Sequence, residues 1–251
     1  MEKQNDTPDF LEMGDGRRIA CRRTPGASPA LVFLPGYASD MAGAKATAVA
    51  GFARQRGLAS IRFDYSGTGL SGGDFEDGTL AAWLDEALAV IDRLTEGPVI
   101  LLGSSMGGWI ALHLALRRPR RIAALIGIAA APDFTEWGFT GSHKRILGKE
   151  GRLELPNPYD PAPHVTTRAF WESGQQLRLL DAPIGIGCPV RLVHGSEDSE
   201  VPLAIACRLM KQLRSGDVQL QILKGGGHRL SEPHEIDAIL HAIEPFLELP
   251  E

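Results

Sequence analysis

Residues 99–109 read VILLGSSMGGW, an apolar run that ends abruptly in small residues. The run is typical of a buried strand, and the apolar residues 110–116 that follow are typical of a helix. Between them, Gly103-x-Ser105-x-Gly107 matches the G-x-S-x-G pattern of a nucleophile elbow, in which a strand turns sharply into a helix. Glycines are expected there because the turn brings backbones too close for a Cβ atom. We therefore predict that the Ser105 hydroxyl stands at the edge of a sheet as a nucleophile.

The same alternation of strand and helix runs along most of the chain. Its strands are continuous apolar runs, which are typical of a mostly parallel sheet covered by helices on both faces. We therefore predict an α/β fold on an eight-stranded, mostly parallel sheet. The predicted strands span residues 10–13, 17–23, 30–34, 58–63, 99–102, 122–128, 189–194 and 218–223, and the predicted helices 42–56, 79–94, 110–116, 203–213 and 234–247.

The alternation of strands and helices is interrupted by residues 132–187. This segment is too long for an ordinary connection in a compact domain. We interpret residues 1–251 as a single domain that carries residues 132–187 as an inserted lid, helical at least from 169 to 180. The lid aromatics either wall an acyl pocket or pack onto the sheet: Phe134, Trp137, Phe139 and Trp171. The lid cations either hold an anionic leaving group or form a solvated face: Lys144, Arg145, Arg168 and Arg178.

A serine hydroxyl is a poor nucleophile unless a base lies within hydrogen-bond reach. Among the seven histidines, His228 is best placed, because it follows the last predicted strand through the glycines of residues 225–227. Glycines allow the backbone to double back and carry the imidazole over the sheet edge. The main alternative is His194, at the end of another predicted strand, where a structural role is favoured.

The base needs a carboxylate that fixes its tautomer and stabilises the imidazolium. Asp198 lies in a short loop after the strand that ends at His194, and Glu197 and Glu200 in the same loop are its competitors. Asp198 is favoured because the middle of this loop can point toward the loop that carries His228. The resulting order along the chain is nucleophile, acid, base, which is typical of the α/β-hydrolase fold.

An oxyanion hole requires two N–H donors that face the developing negative charge. We expect one donor to be the amide of Met106, directly after the nucleophile, and the other to be the amide of Tyr37, in the loop after the strand at residues 30–34. A second G-x-S-x-G match occurs at residues 69–73, but an acidic segment follows it instead of an apolar helix. We therefore predict that this second match is an ordinary loop.

The composition excludes several functional classes. A net charge of −5 with no strong basic cluster argues against a nucleic-acid partner, and no apolar run is long enough to span a membrane. The three cysteines, Cys21, Cys188 and Cys207, are far apart and are expected to be free thiols. Residues 1–6 are polar and acidic, unlike a signal or transit peptide, so a cytoplasmic location is expected.

Several of these motifs together resemble the α/β-hydrolase domain-containing protein 10 family. The resemblance covers nearly the whole chain from about residue 30, is weakest in the lid, and is carried by residues 34–37, 62–67, 103–109, 124–127, 194–195, 198, 201–202 and 228–229. Mammalian members are mitochondrial serine hydrolases that act on S-acylated proteins and acyl glucuronides. The resemblance implies thioesterase or carboxylesterase chemistry, including depalmitoylation, with Ser105, Asp198 and His228 as the triad. Because no mitochondrial presequence is recognisable, we expect a bacterial relative.

The expected reaction is acyl transfer to Ser105 followed by hydrolysis, with no metal or organic cofactor. The expected partner is a small ester or thioester, or an S-acylated protein, without stable membrane insertion, and the sequence carries no signal for an oligomeric state. Two alternatives stay open. One is a carbon–carbon bond hydrolase or perhydrolase on the same fold, and the other is a non-catalytic binding protein.

Overall fold

An eight-stranded sheet forms the centre of the computed structural model, which describes residues 7–157, 161 and 163–247. The polar segment at residues 1–6 lies outside the described residues. In chain order the strands are β1 (Asp9–Glu12), β2 (Arg18–Thr24), β3 (Ala27–Leu34), β4 (Leu58–Phe63), β5 (Val99–Ser104), β6 (Ile122–Ile128), β7 (Arg152–Leu155), β8 (His164–Thr167), β9 (Val190–Gly195) and β10 (Val218–Leu223). The helices are α1 (Ala44–Gln55), α2 (Leu80–Leu94), α3 (Met106–Arg117), α4 (Phe134–Trp137), α5 (Gly141–Glu150), α6 (Arg168–Gln176), α7 (Leu203–Gln212) and α8 (Pro233–His241).

The central sheet has the strand order β1-β2-β4-β3-β5-β6-β9-β10. Strand β2 pairs antiparallel with β1 and with β4, whereas the remaining pairings in this sheet are parallel. The prediction of a mostly parallel, eight-stranded sheet is therefore confirmed. The loops after β3, β5, β9 and β10 all leave from the carboxyl edge of the parallel strands, where open α/β sheets bind their ligands.

Strand β5 shows why both faces of the sheet must be covered. Leu101 belongs to the core beneath α2 and α3, whereas Ile100 and Leu102 belong to the core beneath α1 and α8. All three side chains are fully buried. Because successive strand residues point to opposite faces, a continuous apolar run requires helices on both sides.

Helices α1, α2 and α7 agree with the predicted ranges to within two residues, whereas α3 begins at Met106, four residues earlier than predicted. Helix α2 begins after Thr79, whose hydroxyl oxygen accepts a hydrogen bond from the Ala82 amide at 3.1 Å. The prediction of one helix over residues 234–247 is wrong, because α8 ends at His241 and a short 3₁₀ turn follows at Glu244–Phe246. Pro245 lies in that turn and has no amide hydrogen to continue an α-helix.

Residues 132–187 contain α4, α5, α6 and a separate antiparallel hairpin of β7 and β8. The sequence did not predict this hairpin, since each of its strands is only four residues long. The helix expected over 169–180 ends at Gln176, because the amides of Leu179 and Leu180 donate instead to the Asp133 carboxylate, each at 2.8 Å. The Asp133 carboxylate therefore holds the C-terminal part of residues 132–187 against their N-terminal part.

Helix α3, which begins directly after Ser105, also binds residues 132–187. Trp109 Nε1 and His113 Nε2 both donate to the carbonyl oxygen of Leu177, at 3.1 and 2.8 Å. Burial lowers the pKa of His113 to about 4, so this imidazole is neutral at physiological pH. The segment at 132–187 is thus fixed to the helix that begins at the nucleophile.

Candidate active site

The elbow between β5 and α3 places Ser105 in a strained backbone conformation, with φ 52° and ψ −117°. The turn is tight because a Cβ atom at Gly107 would overlap the carbonyl oxygen of Leu34, and one at Gly103 would overlap the backbone of Gly107. Glycine is therefore required at both positions, as the sequence motif predicts. A non-glycine residue with positive φ at such a turn is typical of a functional site.

His228 links the serine to a carboxylate. Its Nε2 atom lies 3.1 Å from Ser105 Oγ, and its Nδ1 atom lies 2.9 Å from Asp198 Oδ2. An ionised carboxylate only accepts hydrogen bonds, so Nδ1 carries the hydrogen and the neutral ring leaves Nε2 as an acceptor. The Ser105 hydroxyl then donates to Nε2, which is the arrangement a general base requires.

Asp198 is held as a carboxylate in a fully buried position. Its Oδ1 atom accepts hydrogen bonds from the amides of Glu200 and Val201, at 2.9 and 2.8 Å. Burial alone would raise the pKa of Asp198, but the hydrogen bonds from His228 and from these two amides outweigh it and hold the pKa below the usual value.

The competing residues named from the sequence take other positions. Glu197 is exposed, and Glu200 approaches the other side of the imidazole, with Oε2 3.8 Å from His228 Nε2. His194 is buried, and its Nε2 atom donates to the Val201 carbonyl oxygen at 2.9 Å. His194 therefore supports the loop that carries Asp198 and does not face the serine.

The loop that carries His228 is anchored from two directions. The Lys45 ammonium donates to the carbonyl oxygen of Arg229, and the amide of Gly225 donates to Ser196 Oγ at 2.9 Å. Burial lowers the pKa of Lys45 to about 8. Sequence reasoning missed Lys45, since it lies 184 residues before Arg229 and no local pattern connects the two.

The loop after β3 lies directly against the elbow, since a Cβ atom at Gly36 would be 3.4 Å from that of Ser105. Among the described residues, neither the Tyr37 amide nor the Met106 amide donates a hydrogen bond to another protein group. Both N–H groups are therefore available for an oxyanion beside Ser105.

The side chain of Tyr37 connects this loop to residues 132–187. Its hydroxyl donates to the carbonyl oxygen of Val165, on β8, at 2.6 Å. Its ring packs against Phe134 and Phe170 at centroid distances of 5.9 and 4.8 Å, and burial raises the pKa of its hydroxyl. The sequence named Tyr37 for its amide and favoured packing for its side chain, and it did not include Phe170 among the pocket candidates.

Three of the four lid aromatics make their hydrogen bonds and ring contacts within residues 132–187, whereas Phe134 also contacts the rings of Tyr37 and Trp109. Trp137 Nε1 donates to the Pro132 carbonyl oxygen at 2.7 Å, and Trp171 Nε1 donates to that of Thr135 at 3.0 Å. Phe139 contacts the rings of Phe134 and His143, each at 6.4 Å. These contacts favour packing of the segment, the alternative that the sequence left open.

Three of the four lid cations also have partners in this segment. Lys144 Nζ lies 2.8 Å from Glu136, Arg178 pairs with Asp181, and Arg168 Nε donates to the Leu147 carbonyl oxygen at 3.0 Å. Arg145 is exposed. The charges proposed for an anionic leaving group are therefore mostly engaged elsewhere.

Three further features concern the cysteines, the possible metal ligands and the helices. The cysteines are free thiols, with Cys21 buried and Cys188 and Cys207 partly exposed, as expected. Within the described part of the chain, no three His, Cys, Asp or Glu side chains are grouped so that they could hold a metal ion. None of the described helices is both long and apolar enough to cross a membrane.

The known proteins that this chain resembles are α/β hydrolases. The model of the Alpha/beta hydrolase family matches residues 31–240. The human protein named palmitoyl-protein thioesterase ABHD10, mitochondrial, is 36% identical over 250 residues, which cover 98% of this chain and 82% of the human protein.

Two solved structures share both the fold and much of the sequence. A putative hydrolase from Agrobacterium vitis is 39% identical with a TM-score of 0.90, over 96% of this chain and 98% of that one. The mouse alpha/beta hydrolase domain-containing protein 10 is 35% identical with a TM-score of 0.90, over the same shares of the two chains. The similarity therefore extends over the whole described fold.

Proposed function

Because this chain belongs to the alpha/beta hydrolase family, in the group of the ABHD10 proteins, we propose that it cleaves carboxylic thioesters or esters through a covalent acyl-enzyme at Ser105. The resemblance inferred from the sequence motifs is confirmed by these relatives, and the protein is a hydrolase. The observation that supports the proposed triad is the continuous hydrogen-bonded line from Asp198 through His228 to Ser105.

In the first step, His228 Nε2 accepts the hydroxyl proton as Ser105 Oγ attacks the carbonyl carbon. Asp198 holds the Nδ1–H tautomer and stabilises the imidazolium that forms. The tetrahedral intermediate then collapses, and Nε2 returns the proton to the leaving sulfur or oxygen. In the second step, water gives a proton to the same Nε2 atom and attacks the acyl-enzyme. The second tetrahedral intermediate then releases the acid as Nε2 returns this proton to Ser105 Oγ.

The amides of Tyr37 and Met106 serve as the oxyanion hole in this proposal. Their availability and the closeness of the loop after β3 to Ser105 support this role. Loss of one such donor typically lowers the rate about 10²–10³-fold, because the negative charge develops only in the transition state.

Residues 132–187 act as the lid of the site and select the acyl group. This role is supported by the contact of the Phe134 and Phe170 rings with Tyr37, which lies beside the proposed oxyanion hole. The human relative is named for the removal of palmitate from proteins, so we extend the proposed substrates to S-acylated proteins. Acyl glucuronides are a weaker proposal, since most lid cations are paired with groups inside the lid.

A substrate panel tests this function. Purified protein is assayed on p-nitrophenyl esters of short and long acyl chains, on a palmitoylated peptide, on an acyl glucuronide and on a carbon–carbon bond substrate such as a β-diketone, with Ser105→Ala as the matched control. We expect thioester or ester hydrolysis that depends on Ser105. Cleavage of a carbon–carbon bond substrate with no turnover of any ester or thioester would overturn the proposal in favour of the other reaction class.

A further inference from the structure

We propose that Glu200 makes this site selective against leaving groups that carry a negative charge near the scissile bond. This inference rests on the proposed function and deepens it, because it narrows the class of ester or thioester that the triad accepts.

Glu200 lies on the side of the imidazole where the leaving group must sit. Its Oε2 atom is 3.8 Å from His228 Nε2, and the same Nε2 atom is 3.1 Å from Ser105 Oγ. The Glu200 side chain is 39% exposed and that of His228 is 14% exposed, so the carboxylate stands at the mouth of the site rather than in the core.

The reaction brings every leaving group to this position. The departing sulfur or oxygen collects its proton from Nε2, so it must come within hydrogen-bond distance of that atom. A charge about three bonds beyond the departing atom can then lie within a few ångströms of the Glu200 carboxylate. A carboxylate there is repelled and an ammonium is attracted, and the interaction is strongest at low ionic strength.

The other carboxylates of this loop do not have the same effect. Asp198 faces the opposite ring nitrogen, is fully buried and accepts three hydrogen bonds. Glu197 is exposed on the same loop and provides a matched control for a general change of surface charge. The loop after β9 thus supplies one carboxylate to orient the imidazole and another that faces the leaving group.

The substrate class follows from this charge. Thioesters of cysteine in neutral or basic peptide segments are favoured, as are small esters of neutral or cationic alcohols and thiols. Acyl glucuronides and thioesters of carboxylate-bearing thiols are disfavoured, because their negative charge is carried into the transition state beside Glu200.

Three thioesters with the same butyryl group test the proposal: those of thiocholine, mercaptoethanol and 3-mercaptopropionate, which are cationic, neutral and anionic. The kcat/KM values are measured for the wild type, Glu200→Gln and Glu197→Gln. We expect the wild type to prefer the cationic thioester. We expect Glu200→Gln to reduce the cationic-to-anionic ratio about tenfold at low salt and less at high salt, and Glu197→Gln to change it less than about twofold.

The outcomes separate this inference from the function on which it rests. An equal ratio in the wild type and in Glu200→Gln overturns the charge selection while thioester hydrolysis stands. An equal loss on all three thioesters also overturns it, because Glu200 would then act on the imidazole and not on the leaving group. If the wild type hydrolyses none of the three and none of the esters or the palmitoylated peptide of the substrate panel, the proposed function fails and the inference falls with it.

Discussion

Two stretches of this chain match G-x-S-x-G, and they have little else in common. At residues 103–107 the serine has φ 52°, joins a strand to a helix, and lies 3.1 Å from an imidazole nitrogen. At residues 69–73 the serine lies in a loop, and its hydroxyl donates to the Asp64 carbonyl oxygen at 2.7 Å while it accepts from the Ala20 amide at 2.8 Å. Ser71 joins two segments of backbone, whereas Ser105 faces a base.

The difference lies in what surrounds each motif. Strand β5, before Ser105, has parallel neighbours β3 and β6 on both sides, so the turn is fixed at the centre of the carboxyl edge. The loop at 69–73 follows no strand directly, and Leu70 in it is 53% exposed. A five-residue pattern therefore predicts chemistry only when an apolar run precedes it and an apolar helix follows it.

Exchanging each serine for alanine gives the largest expected effect. We expect Ser105→Ala to lower kcat for ester or thioester hydrolysis about 10⁶-fold, because the nucleophile is lost. Ser71→Ala should keep the wild-type kcat but lose about 1 kcal/mol of unfolding free energy, since it removes hydrogen bonds to two backbone groups. Hydrolysis rates and urea denaturation measure the two effects. Equal losses of activity would mean that the two motifs do not differ in function.

Each motif also has a buried aspartate nearby, and replacing these residues sharpens the contrast. We expect Asp198→Asn to lower kcat about 10⁴-fold with the fold intact, because the amide would favour the wrong imidazole tautomer. Asp64 accepts hydrogen bonds from the Met41 and Leu70 amides, at 2.6 and 2.8 Å. Asp64→Asn should therefore cost about 1–2 kcal/mol of stability with little change in kcat.

Circular dichroism and steady-state kinetics on both variants provide the measurement. Full activity in Asp198→Asn would transfer the acid role to another group of the same loop, and the proposed triad would be wrong.

Gly107 is the last glycine of the elbow motif, whereas Gly72 occupies a variable position of the second match. A Cβ atom at Gly107 would overlap the Leu34 carbonyl oxygen, whereas the nearest atom to one at Gly72 would be 4.0 Å away. We expect Gly107→Ala to lose about 2–3 kcal/mol of stability, because the added atom forces backbone to shift. Gly72→Ala should lose well under about 1 kcal/mol. Comparable thermal denaturation of the two variants would contradict the steric difference between positions 107 and 72.

The smallest expected effect concerns the hydrogen bond from the Tyr37 hydroxyl, which connects the loop after β3 to strand β8. Tyr37→Phe removes the hydrogen bond to Val165, and we expect kcat to fall about three- to tenfold with a smaller change in KM. Tyr65→Phe is the matched control, because the Tyr65 hydroxyl is buried and has no hydrogen-bond partner among the described residues. That variant should keep both activity and stability. A larger loss in Tyr65→Phe than in Tyr37→Phe would contradict the coupling of the lid to the oxyanion hole.

Much of the fold follows from local sequence, because apolar runs and caps act over a few residues. The apolar run at residues 99–102 predicts strand β5, and the helix predicted over residues 79–94 forms as α2. The proposed triad can also be named from the sequence, because Ser105, Asp198 and His228 each follow a predicted strand whose end lies at the carboxyl edge.

The remaining features depend on contacts between distant residues. The Asp133 carboxylate ends α6 by binding the amides of Leu179 and Leu180, some 46 and 47 residues later. Lys45 anchors the His228 loop, and Tyr37 reaches Val165 across 128 residues. The spacing of apolar residues along the sequence does not predict such contacts between distant residues. The cytoplasmic location stays a prediction.

Covalent labelling tests the central difference between the two serines most directly. Trypsin separates them, since cleavage after Arg62, Arg93 and Arg117 places Ser71 in residues 63–93 and Ser105 in residues 94–117. The protein is treated with a fluorophosphonate probe, digested and sequenced by tandem mass spectrometry. We predict a single adduct on Ser105 that disappears in Ser105→Ala and weakens strongly in Asp198→Asn. An adduct on Ser71 or on any other residue, or none in an active preparation, would contradict the account.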